Sequence, residues 1–325
     1  MRPSPNLTRS LRLVGALAGV ATLLAGCGAA EVRSSAPTGA ATPVTTAGTH
    51  AAAPNAAAAT TPAAAPTSTS TSLAVDVSAV ASAPATRVAS APDSVCEQIA
   101  TALDRNHPST QFVIVRTSAW TDTTAVLQVA ERSGIGWTCG PELTARVGRA
   151  GLRPLLERRS GDGTTPAGVF ALGTMTAWDG QAYSFFGNSP DPGVRGGTYR
   201  RTRTGDCFGA TPKTAGYGHL RDDTSCPGPD DEYLPSIGAY TTAALIGANM
   251  EPDVSGDAPG ETPYASAIFL HRFTYATTGA TSGPTKATSG CVSLAQTDLS
   301  AVLVEMRDDV RFAIGQTDWL LAGAS

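Results

Sequence analysis

Residues 92–325 predict a mainly β fold with few short helices, of the α+β class. Short apolar runs and strict apolar/polar alternations recur along this stretch, bounded by Gly, Pro, Asn and Asp. Only two segments carry the i, i+3, i+4 apolar spacing of a helix. The long turn-rich region 173–235 holds many Gly, Pro, Asp and Tyr residues and shows no helical period. A mixed sheet or sandwich with peripheral helices follows.

What precedes residue 92 is of another kind. Arg2, Arg9 and Arg12 open the chain, and Leu13 to Ala25 is an apolar core suited to an export signal and short for a membrane span. Leu24-Ala25-Gly26-Cys27 resembles a bacterial lipobox. That resemblance implies a signal peptide over 1–26, cleavage before Cys27 and a lipid on the Cys27 sulfur, anchoring the chain on the outer face of the cytoplasmic membrane. Loss of the three leader arginines takes the formal charge from −4 to −7. A mildly acidic chain argues against nucleic acid as a partner. Residues 27–91 are nearly all Ala, Thr, Pro, Ser and Gly. Such a segment cannot bury enough apolar surface to offset its ordering entropy, so it reads as a disordered tether spanning roughly 40–50 Å.

Within the folded region, Ser94-Val95-Cys96-Glu97 is a capping box, and Val95, Ile99 and Leu103 form one helical stripe ending before Pro108. Phe112–Val115 is a strand. Ala125, Leu127 and Val129 alternate in a second, and Ser133–Gly136 turns the chain into a third at Trp137–Cys139. Leu143–Val147 is another. Gly161–Phe170 contains an Asp-Gly turn and Gly168, which suggests a close backbone approach. It is no phosphate loop, because Gly-Lys-Ser/Thr is missing. His219 sits in the turn-rich region as a partly exposed loop residue. Ala239–Ile246 and Ala265–His271 read as buried strands. Ser293 and Gln296 form a second capping box, with Leu299, Val302, Leu303 and Met306 as the helix face, and Val310–Ile314 is the last strand.

Six cysteines constrain the rest. Export favours disulfides. With Cys27 assigned to lipid, Cys96, Cys139, Cys207 and Cys226 allow three pairings, of which proximity favours Cys96–Cys139 and Cys207–Cys226. The spacing of Cys207, His219 and Cys226 matches no zinc pattern, so no metal is expected. Cys291 is then left as a free thiol.

A nucleophilic cysteine needs a base or cation to form the thiolate, and donors to hold an oxyanion. His271 ends an apolar strand that would hold its ring. Cys291 precedes the helix expected near Ser293, whose N-terminus would depress the thiol pKa. Gly290 lets the amides of 290 and 291 face an oxyanion. No acidic residue is near to orient His271, so the acceptor is a backbone carbonyl such as that of Arg272, or a group from elsewhere. The plainer alternatives are a packed or paired cysteine and a satisfied core histidine.

At these residues the chain resembles a family. Gly161-Asp-Gly-Thr-Thr-Pro-Ala-Gly-Val-Phe170, Phe269-Leu-His271 and Thr288-Ser-Gly-Cys-Val-Ser-Leu294 resemble, in order and spacing, three segments of the L,D-transpeptidase catalytic domain (YkuD type). Ser289 stands where the family usually has histidine, and Ser293 where it usually has arginine. The resemblance implies a β-sandwich-like domain over 92–325 and a monomer without a cofactor. It implies acyl transfer on peptidoglycan stem peptides, with 3→3 cross-links formed through a Cys291 thioester. Cys291, His271, Gly290 and Ser289 would be the catalytic group, with Arg272, Lys286 and Tyr264 binding substrate. Transfer to water would make an L,D-carboxypeptidase instead, and a non-catalytic wall-binding lipoprotein would keep the fold.

Overall fold

The computed structural model describes residues 94–211, 213–250, 254 and 267–324. The leader, Cys27, the tether, Tyr264 and the first residues of the expected strand Ala265–His271 lie outside the described residues. The central strand Gln111–Thr117 pairs antiparallel with Thr124–Ser133 and parallel with Arg311–Gln316. Its residues Phe112 to Val115 are fully buried, as a strand covered on both faces must be.

From this centre a 12-stranded sheet extends both ways. On one side come Thr165–Ala171 and Leu152–Pro154. On the other come Leu143–Arg146, Val292–Leu294, Phe269–Arg272, Ala243–Leu245, Phe185–Gly187 and Tyr199–Arg201, while Gly136–Cys139 pairs with the far end of Thr124–Ser133.

Because side chains alternate across a strand, the sheet separates its cores. Val113, Leu127, Leu270, Val292, Leu294 and Phe312 share the largest core with helix Gln296–Glu305. On the opposite face, Phe112 and Ile114 pack with helix Val95–Asp104 and Leu320. Farther along that face, Phe269, Phe186, Tyr240 and Cys291 form a third cluster with Phe208 and Leu220. Helix Gln296–Glu305 buries Leu299, Val302 and Leu303 in this core and leaves its other side exposed.

Helix Val95–Asp104 carries the expected capping box, Ser94 Oγ accepting from the Glu97 amide at 3.2 Å and Glu97 Oε2 from the Ser94 amide at 3.1 Å. Cys96 is bonded to Cys139, tying this helix to the hairpin end, and Cys207 to Cys226.

Three sequence expectations need correction. Ser293 caps no helix: it lies inside strand Val292–Leu294, and the next helix begins at Gln296 with Ala295 as its N-cap and no side-chain cap. Pairing with Phe269–Arg272 outcompeted the local cap. The turn-rich region 173–235 is not one long run of turns. It forms a five-stranded sheet, ordered Glu232–Tyr233, Asp206–Phe208, His219–Asp222, Met175–Ala177 and Ala182–Tyr183. Strands of two to four residues are too short to show an alternation. The buried pair Arg200–Asp206 (Nε at 3.0 Å and Nη2 at 2.8 Å) joins this sheet to the larger one. Finally, Gly168 is crowded by the Phe170 ring, 2.5 Å from where its Cβ would lie; the close backbone approach is at Gly148, whose Cβ would lie 2.3 Å from the Gly163 carbonyl.

Among the described residues the fold is mainly β with three short helices, the last being the unpredicted five-residue Thr317–Leu321.

Candidate active site

His271 and Cys291 are brought together by the parallel pairing of strands Phe269–Arg272 and Val292–Leu294. The register sets Leu270 against Val292 and His271 against Ser293. One step back, Cys291 faces Phe269, whose amide donates to the Cys291 sulfur at 3.4 Å. Side chains two apart on a strand share a face, so Phe269, His271, Cys291 and Ser293 all point the same way. His271 and Cys291 are diagonal neighbours, with Cα atoms about 8 Å apart by strand spacing and rise.

The His271 ring is 1 % exposed. Its Nδ1 lies 2.7 Å from the Arg272 carbonyl. A carbonyl only accepts, so Nδ1 carries the proton and Nε2 the lone pair. Nε2 has no hydrogen-bond partner among the described residues. Tyr240 packs on the ring in a tilted, T-shaped arrangement with centroids 5.5 Å apart, and Tyr240 is itself fixed by donating to Glu232 Oε2 at 2.5 Å. Burial lowers the imidazole pKa to about 4; the Arg272 charge adds to this and the carbonyl bond opposes it. At neutral pH the ring is an uncharged base.

Cys291 is fully buried. Its backbone carbonyl accepts from Thr288 Oγ1 at 2.5 Å and from Thr165 Oγ1 at 3.3 Å. Thr165 Oγ1 also accepts from the Gly148 amide at 2.8 Å, and the Thr288 amide donates to the Val147 carbonyl at 2.8 Å. Segments 147–149, 163–165 and 288–291 are thereby locked into one frame. Thr165 and Thr288 hold the backbone of this site, and sequence reasoning did not single them out. Their spacing carries no local signal, because their shared acceptor, the Cys291 carbonyl, is 126 residues from Thr165. Gly290 has φ +154°, and a Cβ there would sit 3.1 Å from the Thr164 carbonyl.

Several expectations about the site change. Cys291 is not a free thiol: it is disulfide-bonded, and no described cysteine is free. The Gly290 amide is not available to an oxyanion, because it donates to Thr288 Oγ1 at 3.2 Å. The helix-dipole argument for Cys291 falls with the cap at Ser293, since the helix starts five residues after the cysteine. Arg272 spends Nε and Nη2 on the Gly238 carbonyl at 2.9 and 2.6 Å, Lys286 is exposed, and Ser289 is partly exposed. Neither cation is therefore drawn in toward Cys291.

A cysteine and a neutral histidine with a set tautomer, on one face of adjacent strands, is an arrangement able to perform acyl transfer once the sulfur is reduced. Comparison with known proteins gives one match: residues 119–309 fit the family profile of the L,D-transpeptidase catalytic domain, YkuD. No curated protein and no solved structure matches the chain. The profile spans the locked frame, the histidine strand and the cysteine segment together, and the chain belongs to the L,D-transpeptidase catalytic-domain family.

Proposed function

We propose that this protein is a peptidoglycan L,D-transpeptidase that forms 3→3 cross-links through Cys291, exported and held by a Cys27 lipid with its domain facing the wall. The observation that carries the reading is the unpartnered His271 Nε2, its tautomer set by the Arg272 carbonyl, on the same sheet face as the Cys291 sulfur. The reaction begins from the reduced form, so a thiol reductant must first open the disulfide at Cys291. Residues covering the buried pair must also part.

The Cys291 thiol then gives its proton to His271 Nε2, and the sulfur attacks the carbonyl that joins the third stem residue to D-Ala. The tetrahedral intermediate collapses to a thioester, and the Nε2 proton passes to the departing D-Ala amine. An amine of a second stem attacks the thioester and gives its proton to Nε2, which returns it to the Cys291 sulfur. The Thr165 and Thr288 hydroxyls, bonded to the Cys291 carbonyl, keep the nucleophile's backbone in place throughout.

The test is incubation of the reduced full chain with disaccharide-tetrapeptide muropeptides, read by mass spectrometry. Cross-linked dimers are expected, absent with Cys291→Ala while the variant keeps its fold. Trimmed stems alone would identify a hydrolase, and unchanged muropeptides would refute the enzyme reading.

A further inference from the structure

One row across the larger sheet holds three buried polar atoms without partners. His271 is in register with Ser293, and Ser293 with Arg146. Among the described residues, His271 Nε2, Ser293 Oγ and Arg146 Nε all lack a hydrogen-bond partner. Residues in register share a sheet face, so these three side chains stand side by side on the face that carries Cys291. His271 and Ser293 are 1 % and 0 % exposed, whereas Arg146 is partly exposed. The row therefore runs from the surface inward to the candidate base.

Among the described residues Arg146 is also a cation without a counter-ion. None of the ion pairs among the described residues includes it. Among the described residues its one side-chain hydrogen bond is from Nη1 to the Thr124 hydroxyl, its neighbour in the next strand. Unmade bonds of buried polar groups are costly, and three in a line mark a place built for a polar ligand. The order of the chemistry defines that ligand: an acceptor for an amine proton at His271, a hydroxyl at Ser293, and a guanidinium suited to carboxylate at Arg146. A terminal amino-acid unit offers an amine nitrogen and a carboxylate in that order.

We propose that Arg146 and Ser293 form the subsite for the free carboxylate of the donor stem's last residue, and so select donors ending in an uncapped carboxylate. Arg146 then supplies, from the adjacent strand, a cation that Ser293 lacks. The inference rests on the proposed reading for its donor, and its test does not require turnover.

Cys291→Ala in the full chain is titrated by calorimetry with a tetrapeptide stem ending in D-Ala and with the same stem ending in D-Ala amide. The acid should bind at least tenfold more tightly than the amide. Adding Arg146→Gln should remove that preference by weakening the acid alone; Arg146→Lys should keep part of it. If Arg146→Gln misfolds, Ser293→Ala carries the test and should reduce the preference severalfold. Equal binding of acid and amide, no binding of either, or a preference that survives Arg146→Gln would overturn the proposal. Carboxylate-selective binding without acyl transfer would uphold the subsite and refute only the enzyme reading.

Discussion

The neutral His271 ring lies in the core with its pKa lowered to about 4, mainly by burial, against an ordinary value of 6.5. This couples stability to pH. Between these values the unfolded chain takes up a proton that the folded chain refuses, so stability rises with pH across the window. The contribution is whole above pH 6.5, falls away as pH drops toward 4, and is gone below that. The full shift corresponds to about 3 kcal/mol at 1.36 kcal/mol per unit. From pH 7 to 4.5 the expected loss is about 2 kcal/mol. His271→Asn isolates it, because asparagine does not titrate and its amide can still donate to the Arg272 carbonyl. Urea unfolding of the full chain, followed by tryptophan fluorescence at both pH values, should show the wild type losing about 2 kcal/mol more than the variant. Other titrating groups, His107 among them, cancel in the difference. Parallel pH–stability curves for the two proteins would refute the argument that His271 is buried as the neutral base.

Two further outcomes follow from the packing. Gly148→Ala would drive a Cβ to 2.3 Å from the Gly163 carbonyl and 2.7 Å from the Thr165 amide. It should cost about 1–3 kcal/mol and displace the frame around Cys291, read as a lowered Tm and, in the reduced protein, slower alkylation of Cys291. Asp206→Asn breaks the buried pair with Arg200 while leaving the guanidinium in place. It should cost about 3–5 kcal/mol in urea unfolding, and an unchanged midpoint would show that the pair does not join the two sheets.

Much of this protein is legible in its residues alone. Alternation at Ala125, Leu127 and Val129 announces a strand, and the box at Ser94 and Glu97 announces a helix start, because both signals lie within a few residues. The Cys96–Cys139 and Cys207–Cys226 bonds also join cysteines that are near in sequence. Likewise His271 and Cys291 stand out as residue types that carry chemistry, and the Arg272 carbonyl, adjacent in sequence, is the acceptor for Nδ1.

Signals of the same local kind misled where strand pairing overrode them. The Ser293–Gln296 box is present in sequence, but Ser293 is held in a ladder with His271 and Arg146. Strands as short as Ala182–Tyr183 exist only because a neighbour supplies their hydrogen bonds.

The sequence by itself determined the fold class, the family segments and which residue types could carry chemistry. Period-two patterning says which side of a strand a residue occupies, but not which strand lies beside it. Only the tertiary structure set Leu143–Arg146 against Val292–Leu294 and that strand against Phe269–Arg272. That order turned His271, Ser293 and Arg146 into one row, and placed Thr165 and Thr288 on the Cys291 carbonyl. The reason is physical: ladder hydrogen bonds join backbones distant in the chain, and their register follows from packing the whole sheet at once.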